Sequence, residues 1–474
     1  MRGGWIGLSP RGQRLLVVPL ILLGGALCAK ATLIMVPEEY PEISQAIDAA
    51  ASGDTIDIDG SVGPYVEPLL IDSQKLTSIT LQGRHRRHPA QIHAAAGQWV
   101  MLQIKNESNS LLDVTLRHLE FDGLEHMPGY GIRVFNSHYE FDEPLTTLRM
   151  LKVIVARCNF GVQVGSKTGV NGCDGDWGAV AWDELAQSRS RVEMYDCTVV
   201  ECGNDAMRLF NISGFIESCL VACNGDEAIH TTQATDLRIE HNIIVRNANT
   251  ALHFQLPTEV EVFNNIVTNT QPRTSVSPAM PGYGITVGGA FEDGLVRVHN
   301  NLLLGNDGAG VKVNPVEVVF PDSTCQSYPF NVDLRNNVFL GNAICSAGCW
   351  DDSELLIHPR GTRGNQATVH YNRFDHPSAA GKFRLDDSNQ FGTDLGFIAP
   401  IPSDAVPDTI WNPYYASKTA RRFAAGYALA DSSAAIDAGD PSPDLEDGGG
   451  LSRGSRRNDL GAFGGPSSSG WLID

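Results

Sequence analysis

The chain has 474 residues, a formal net charge of −20 and 42% apolar residues, with 48 glycines. That charge argues against nucleic acid or an anionic membrane as a partner, since both require a basic face. The length suits two or three ordinary domains or one long solenoid, and internal repetition has to decide between them.

Residues 1–31 read as an export signal. Arg2, Arg11 and Arg14 precede an apolar run from Leu15 to Leu27, and Ala29-Lys30-Ala31 supplies a cleavage site after Ala31. The run is too short to span a bilayer, and no later stretch approaches the roughly 20 apolar residues that a membrane helix needs. The expected product is secreted, extracellular or periplasmic, with no membrane insertion. Cys28 lacks the Leu that a lipobox places three residues earlier. Nine of the ten cysteines remain after cleavage, an odd number in a compartment that permits disulfides.

Between Pro41 and Ala51, Ile43, Ala46, Ile47 and Ala50 fall at i, i+3, i+4 and i+7, the spacing of an amphipathic helix. Gly53-Asp54 then turns into a strand, Thr55 to Ile58. From residue 100 to about 375 short β-rich runs recur, each opening on Cys or Asn. Cys197, Cys219, Asn242, Asn265, Asn301 and Asn337 are separated by 22, 23, 23, 36 and 36 residues, the longer intervals being one rung plus a loop. Runs of three to five β-branched residues punctuated by Gly, Asn and Asp exclude a helical repeat, so these units stack as parallel strands. Thr198, Leu220, Ile243, Ile266, Leu302 and Val338 then form a buried ladder, and the Asn corners suit sharp turns. An open coil end would pair with other chains, which calls for a cover at each end.

The opening VPEEYPEISQAIDAAASGDTIDI, followed by Tyr65-Val66-Glu67, resembles the start of pectin-lyase-like right-handed β-helix proteins. The segments SSAAIDAGDPSPDLE and RRNDLGAFGGP resemble the closing stretch of exported bacterial members. The resemblance covers residues 34–466 and implies an all-β, right-handed parallel β-helix with an N-terminal amphipathic capping helix. The expected organisation is a signal at 1–31, the coil with its cap at 32–390 and an irregular wrapping tail at 391–474. Asp437, Asp440, Asp444, Glu446 and Asp447 in that tail offer oxygen ligands to calcium, although an EF-hand spacing is absent. No other cofactor or metal is expected.

Aligning the rungs at the small residue before one strand gives a polar column of Arg133, Gln163, Arg208, His230, His253, Thr286 and Lys312. Side-chain alternation turns it away from the core and towards solvent. The same alignment sets Asp205 over Glu227, beside Asp226. Two chemistries on a polysaccharide fit this set. A glycosidase needs two carboxyl groups, met by Asp205 with Asp226 or Glu227. The stretches Asn-Asp and Gly-Asp-Glu faintly resemble those of polygalacturonase-like hydrolases, although Asn247-Ala248-Asn249 replaces the Gly-His-Gly of that family and its Arg-x-Lys is missing. A polysaccharide lyase needs a base and a cation, met by Arg208, His230, His253 and Lys312.

Against both stands the plain reading that any coil surface is polar and that its ion pairs contribute under about 1 kcal/mol. Trp177, in an insertion between rungs, is a candidate platform for sugar rings, against the plainer reading of a covering loop, and the proline-rich segment Gln271 to Gly282 is a second loop on the same side, the two together offering walls to a cleft. The functional expectation is a secreted carbohydrate-active protein, lyase or hydrolase. The alternative is a non-catalytic β-helix that binds glycan or protein.

Overall fold

The computed structural model describes residues 31–86, 88–107, 110–136, 146–165, 179–181, 190–275, 279–289, 294–314, 316–319, 325–343, 353–357, 366–375, 385–392, 395–397, 423–448, 452–455 and 457–471. The export signal with Cys28, Trp177 and the closely spaced cysteines 345 and 349, which lack a second ligand pair at metal-site spacing, lie outside these residues.

Three long parallel sheets of 12, 11 and 10 strands run side by side. Successive strands of the chain fall in different sheets, so each circuit adds one strand to all three and the whole is a parallel coil. In the third sheet Ile132, Val162, Met207, Ile229, Leu252, Ile285 and Val311 stack in register and are fully buried inside. The helix Ile43–Ala49 buries Ile43, Ala46 and Ile47 in the same core. Its first two free N–H groups, on Ile43 and Ser44, are accepted by the two oxygens of Glu67 at 2.8 and 2.9 Å. This gives the Tyr65-Val66-Glu67 motif a physical role, because a helix start otherwise leaves those donors unpaired.

The corners are held by two internal ladders. In the first, Asn265 Oδ1 accepts the backbone N–H of Asn242 at 3.0 Å and its side-chain amide at 2.9 Å, and Asn301 does the same for Asn265. The chain of bonds continues through Asn337, Asn372 and Asn389 and is headed by Cys219. The second ladder runs from Cys202 through Asn224 to Asn247, and further along from Thr270 through Asn306 and Asn342 to the Glu354 carboxylate. Buried amides thereby satisfy the corner N–H and C=O groups that strand pairing leaves over. The left-handed turn residue is not the ladder Asn, as the sequence suggested, but the residue before it: Ser218, His241, Asn264, Asn300 and Asn336 have φ of 54° to 56°.

Thr198, Leu220, Ile243, Ile266, Leu302 and Val338 are stacked and buried, but on the outer face of the second sheet. Their neighbours Val199, Val221, Ile244, Val267, Leu303 and Phe339 fill the interior. The outer column is covered by C-terminal residues including Phe423, Tyr427, Leu460, Phe463 and Trp471. Triplets such as IIV and LLL are apolar throughout because both faces of this sheet are covered. The buried cysteines 158, 197, 202 and 219 are free thiols at corner positions, acting as small apolar fillers.

Removing one ladder amide strands several buried partners at once. Asn301→Ala leaves the Asn265 N–H without its side-chain acceptor and removes the amide donors to the carbonyls of Val262 and His299, the latter keeping the backbone N–H of Asn264. The expected loss is about 3 kcal/mol or more in urea unfolding, with no change in the unfolding of an exposed-Asn control.

Candidate active site

The outer face of the third sheet carries the polar column in unbroken register, Arg133, Gln163, Arg208, His230, His253, Thr286 and Lys312 lying opposite one another on successive strands. Their burial departs from expectation, since Gln163, His230 and Thr286 are buried and the other four are half-buried. The reason is the rung rise: flat side chains stacked about 4.8 Å apart shield one another. The His230 and His253 rings stack with centroids 4.8 Å apart, and Phe210 lies against His230 at 6.4 Å.

Glu227 organises the centre. One of its oxygens accepts Nδ1 of His230 at 2.6 Å, and the other accepts Nδ1 of His253 at 2.6 Å. Burial acts to raise its pKa, but the two imidazoles outweigh that and hold it well below the ordinary carboxylate value. An ionised carboxylate only accepts, so both Nδ1 atoms carry the proton and both Nε2 atoms point away from Glu227. Nε2 of His230 lies 3.4 Å from Oε1 of Gln255. Nε2 of His253 has no hydrogen-bond partner among the described residues.

The other two acids are committed elsewhere. Asp226 is paired with Arg273 and bonded by the Asn249 amide at 3.0 Å. Burial and the charge of Glu227 still push its pKa up to about 6. Asp205 is only 2% exposed, and burial together with Glu227 pushes its pKa up to about 7. Nε of Arg208 approaches Asp205 at 3.5 Å, while its guanidinium lies over the rings of Phe160 and Phe210. At the two ends of the column, Arg133 and Lys312 have no carboxylate partner among the described residues. They rest instead on Tyr130 at 4.9 Å and Tyr283 at 4.5 Å, and burial lowers the pKa of Lys312.

Glu227, His230 and His253 are also the one group of three metal-ligand side chains gathered among the described residues, with one ligand atom from each lying within 4.8 Å of the others. Two imidazoles and a carboxylate suit a transition ion such as zinc better than calcium, which prefers all-oxygen sites. In the tail, Asp437 bonds Ser455, Asp440 bonds Ser442 and Arg335, and Asp447 bonds the N–H groups of Asp459 and Gly465. These acids shape their own loops.

Residues 101–303 match the family model described as a right handed beta helix region. With three sheets of parallel rungs, that settles the architecture. The chain is a right-handed parallel β-helix. A solved structure titled as that of pectate lyase Pel9A aligns over 91% of this chain and 96% of its own, at 16% identity and a TM-score of 0.42. No curated protein matches the chain.

Several members of this β-helix's site escaped the sequence reading. Arg273 is the only charged residue of the Gln271–Gly282 loop, which was read as a plain wall. Asn249 immediately precedes the His253 strand and Gln255 is its last residue. Trp99, Tyr130 and Phe160 form an aromatic row leading to Asp205. Tyr130 and Phe160 each stand two residues before a residue of the apolar column, opposite one another in the same register.

The raised pKa of Asp205 has a consequence for stability. Because the folded chain keeps that proton up to about pH 7 and the unfolded chain releases it near pH 4, stability falls as pH rises through this window. Asp205→Asn should therefore raise the thermal midpoint at pH 8 and lose most of that advantage at pH 4, read by calorimetry at both values.

Proposed function

We propose that this face of the coil acts on an acidic polysaccharide by β-elimination, with His253 as the base. The observation that carries the reading is the bond from Glu227 to Nδ1 of His253, which leaves the opposite ring nitrogen as a proton acceptor turned away from the carboxylate. A hydrolase would need a carboxylate at liberty to attack or to activate water. Here both oxygens of Glu227 are occupied by imidazoles, Asp226 is held by Arg273 and Asn249, and Asp205 is buried. The three acids that suggested glycoside hydrolysis support the cations and bases instead.

In a uronate unit the base removes the proton beside the carboxyl group. The electrons of that C–H bond form the new C=C bond as the glycosidic oxygen leaves. The imidazolium formed at His253 can return the proton to that oxygen. Negative charge grows on the substrate carboxylate during the step, and Arg208, one rung beyond His230, is the cation placed to meet it. Arg133 and Lys312, six rungs or about 29 Å apart, suit a chain of repeated negative charge laid along the coil axis. The signal-like start agrees with action on an extracellular polymer.

The test is a panel of acidic and neutral polysaccharides, followed both by absorbance of unsaturated uronate and by reducing ends. The expected result is unsaturated product from an acidic polymer, at least about 100-fold slower in His253→Ala and Glu227→Gln, with thermal midpoints near that of the parent for His253→Ala. Reducing ends without unsaturation would make it a hydrolase. Binding without any product would leave the non-catalytic glycan-binding reading in its place.

A further inference from the structure

One end of the working face is aromatic. Trp99 is 64% exposed, although most large apolar side chains of the coil are buried. Its ring meets Tyr130 edge-on at 5.7 Å, and Tyr130 stacks on Phe160 at 5.3 Å with planes 17° apart. Phe160 is one rung from Asp205, so the row runs into the acid and histidine cluster without a break. The indole is set by its neighbour: a Cβ at Gly129 would come within 2.7 Å of the Trp99 ring. Only glycine lets the indole lie this close to the backbone of the next rung.

A second observation is electrostatic. Arg133 lies between the rings of Tyr130 and Phe135, with its guanidinium carbon 4.9 and 5.9 Å from their centroids. Among the described residues its buried Nε makes no hydrogen bond and no carboxylate pairs with it. A half-buried cation with an unpaired donor beside an exposed aromatic face fits one ligand chemistry, a pyranose ring bearing an anionic group. The apolar face of the sugar packs on an aromatic ring while a planar guanidinium donates two N–H bonds to a carboxylate or sulfate.

We propose that Trp99, Tyr130 and Arg133 form a remote subsite for an acidic sugar, the ring stacking on Trp99 and its anionic group pairing with Arg133. Arg133 is four rungs, or about 19 Å, from His253, so the subsite engages a polymer several sugars away from the bond that is broken. It thereby favours long acidic chains over short ones. This inference rests on the reading of the face as a polysaccharide groove, but it is separable from the chemistry assigned to His253.

The experiment is equilibrium binding of labelled hexasaccharides to the full chain carrying His253→Ala, which slows turnover at least about 100-fold on the proposed chemistry. Three probes of equal length are used: a polyuronate, a sulfated neutral sugar and an uncharged one. Trp99→Ala should weaken binding of the charged hexamers about tenfold, and Trp99→Phe should restore most of it. Arg133→Gln should erase the preference for charged over uncharged probes, and the stronger of the two charged ligands identifies the anionic group. Gly129→Ala, which displaces the indole, should mimic Trp99→Ala. Charged hexamers that bind Trp99→Ala and Arg133→Gln as tightly as the parent, while the wild-type protein still cleaves an acidic polymer, would overturn the subsite alone. A parent that binds none of the probes, with no cleavage by the wild type, would overturn both readings.

Discussion

Everything in this molecule depends on each rung sitting in register over the one before it. Strand pairing sets the rise, but the corners have backbone groups pointing into a dry interior. The two amide ladders satisfy those groups by repeating one side chain at one height. Asn242, Asn265 and Asn301 each accept from the rung before and donate to the rung after, so a slip of one residue would break several buried bonds together. The ladder therefore acts as a ruler. It is also why Glu227, in the turn that enters the strand Ile229–Thr232, lies between the rungs of Asp205 and Thr250, within reach of an imidazole on its own rung and another on the next.

The outer faces of two sheets then have opposite fates. On the second sheet, Leu220, Ile243, Ile266 and Leu302 make an apolar strip that the C-terminal residues cover with Phe463 and Trp471, removing it from water. On the third sheet the equivalent outward positions hold cations and histidines. Stacking brings them close enough to shield one another, and the Gln271–Gly282 loop adds Arg273 over Asp226. Partial burial is what sharpens the chemistry: it moves Asp205 and Asp226 upward while the two histidines keep Glu227 ionised between them.

The coil itself was legible because its marks are local and periodic. Cys197, Cys219, Asn242 and Asn265 repeat at almost constant spacing, and strand alternation then assigns Arg208, His230 and His253 to one outward column. What the spacing could not carry was depth. Ile243 stacks between Leu220 and Ile266 as the spacing predicts, but on the outer face beneath the tail, because an apolar triplet looks the same whichever face is covered by which segment. His230 was expected in solvent and is 7% exposed, because ring stacking is a property of neighbours about 23 residues apart in sequence and about 4.8 Å apart in space. The second ladder stayed hidden because its members vary, Cys202, Asn224, Asn247, Thr270 and Asn306. Trp99 stayed hidden because the early rungs lack the Cys or Asn that marks the later ones.

The account turns on one proton. Glu227 fixes the Nδ1–H form of His253, whereas an unconstrained neutral imidazole more often carries its proton on Nε2. Nitrogen-15 spectra of the histidine-labelled protein, recorded at a pH where His253 is neutral and assigned by comparison with His253→Ala, report which nitrogen is protonated. The account predicts the Nδ1–H tautomer in the wild type and a shift towards Nε2–H in Glu227→Gln. An Nε2–H tautomer at His253 in the wild type would contradict it, since the nitrogen turned away from Glu227 would then carry a proton and the residue would have no site to receive one.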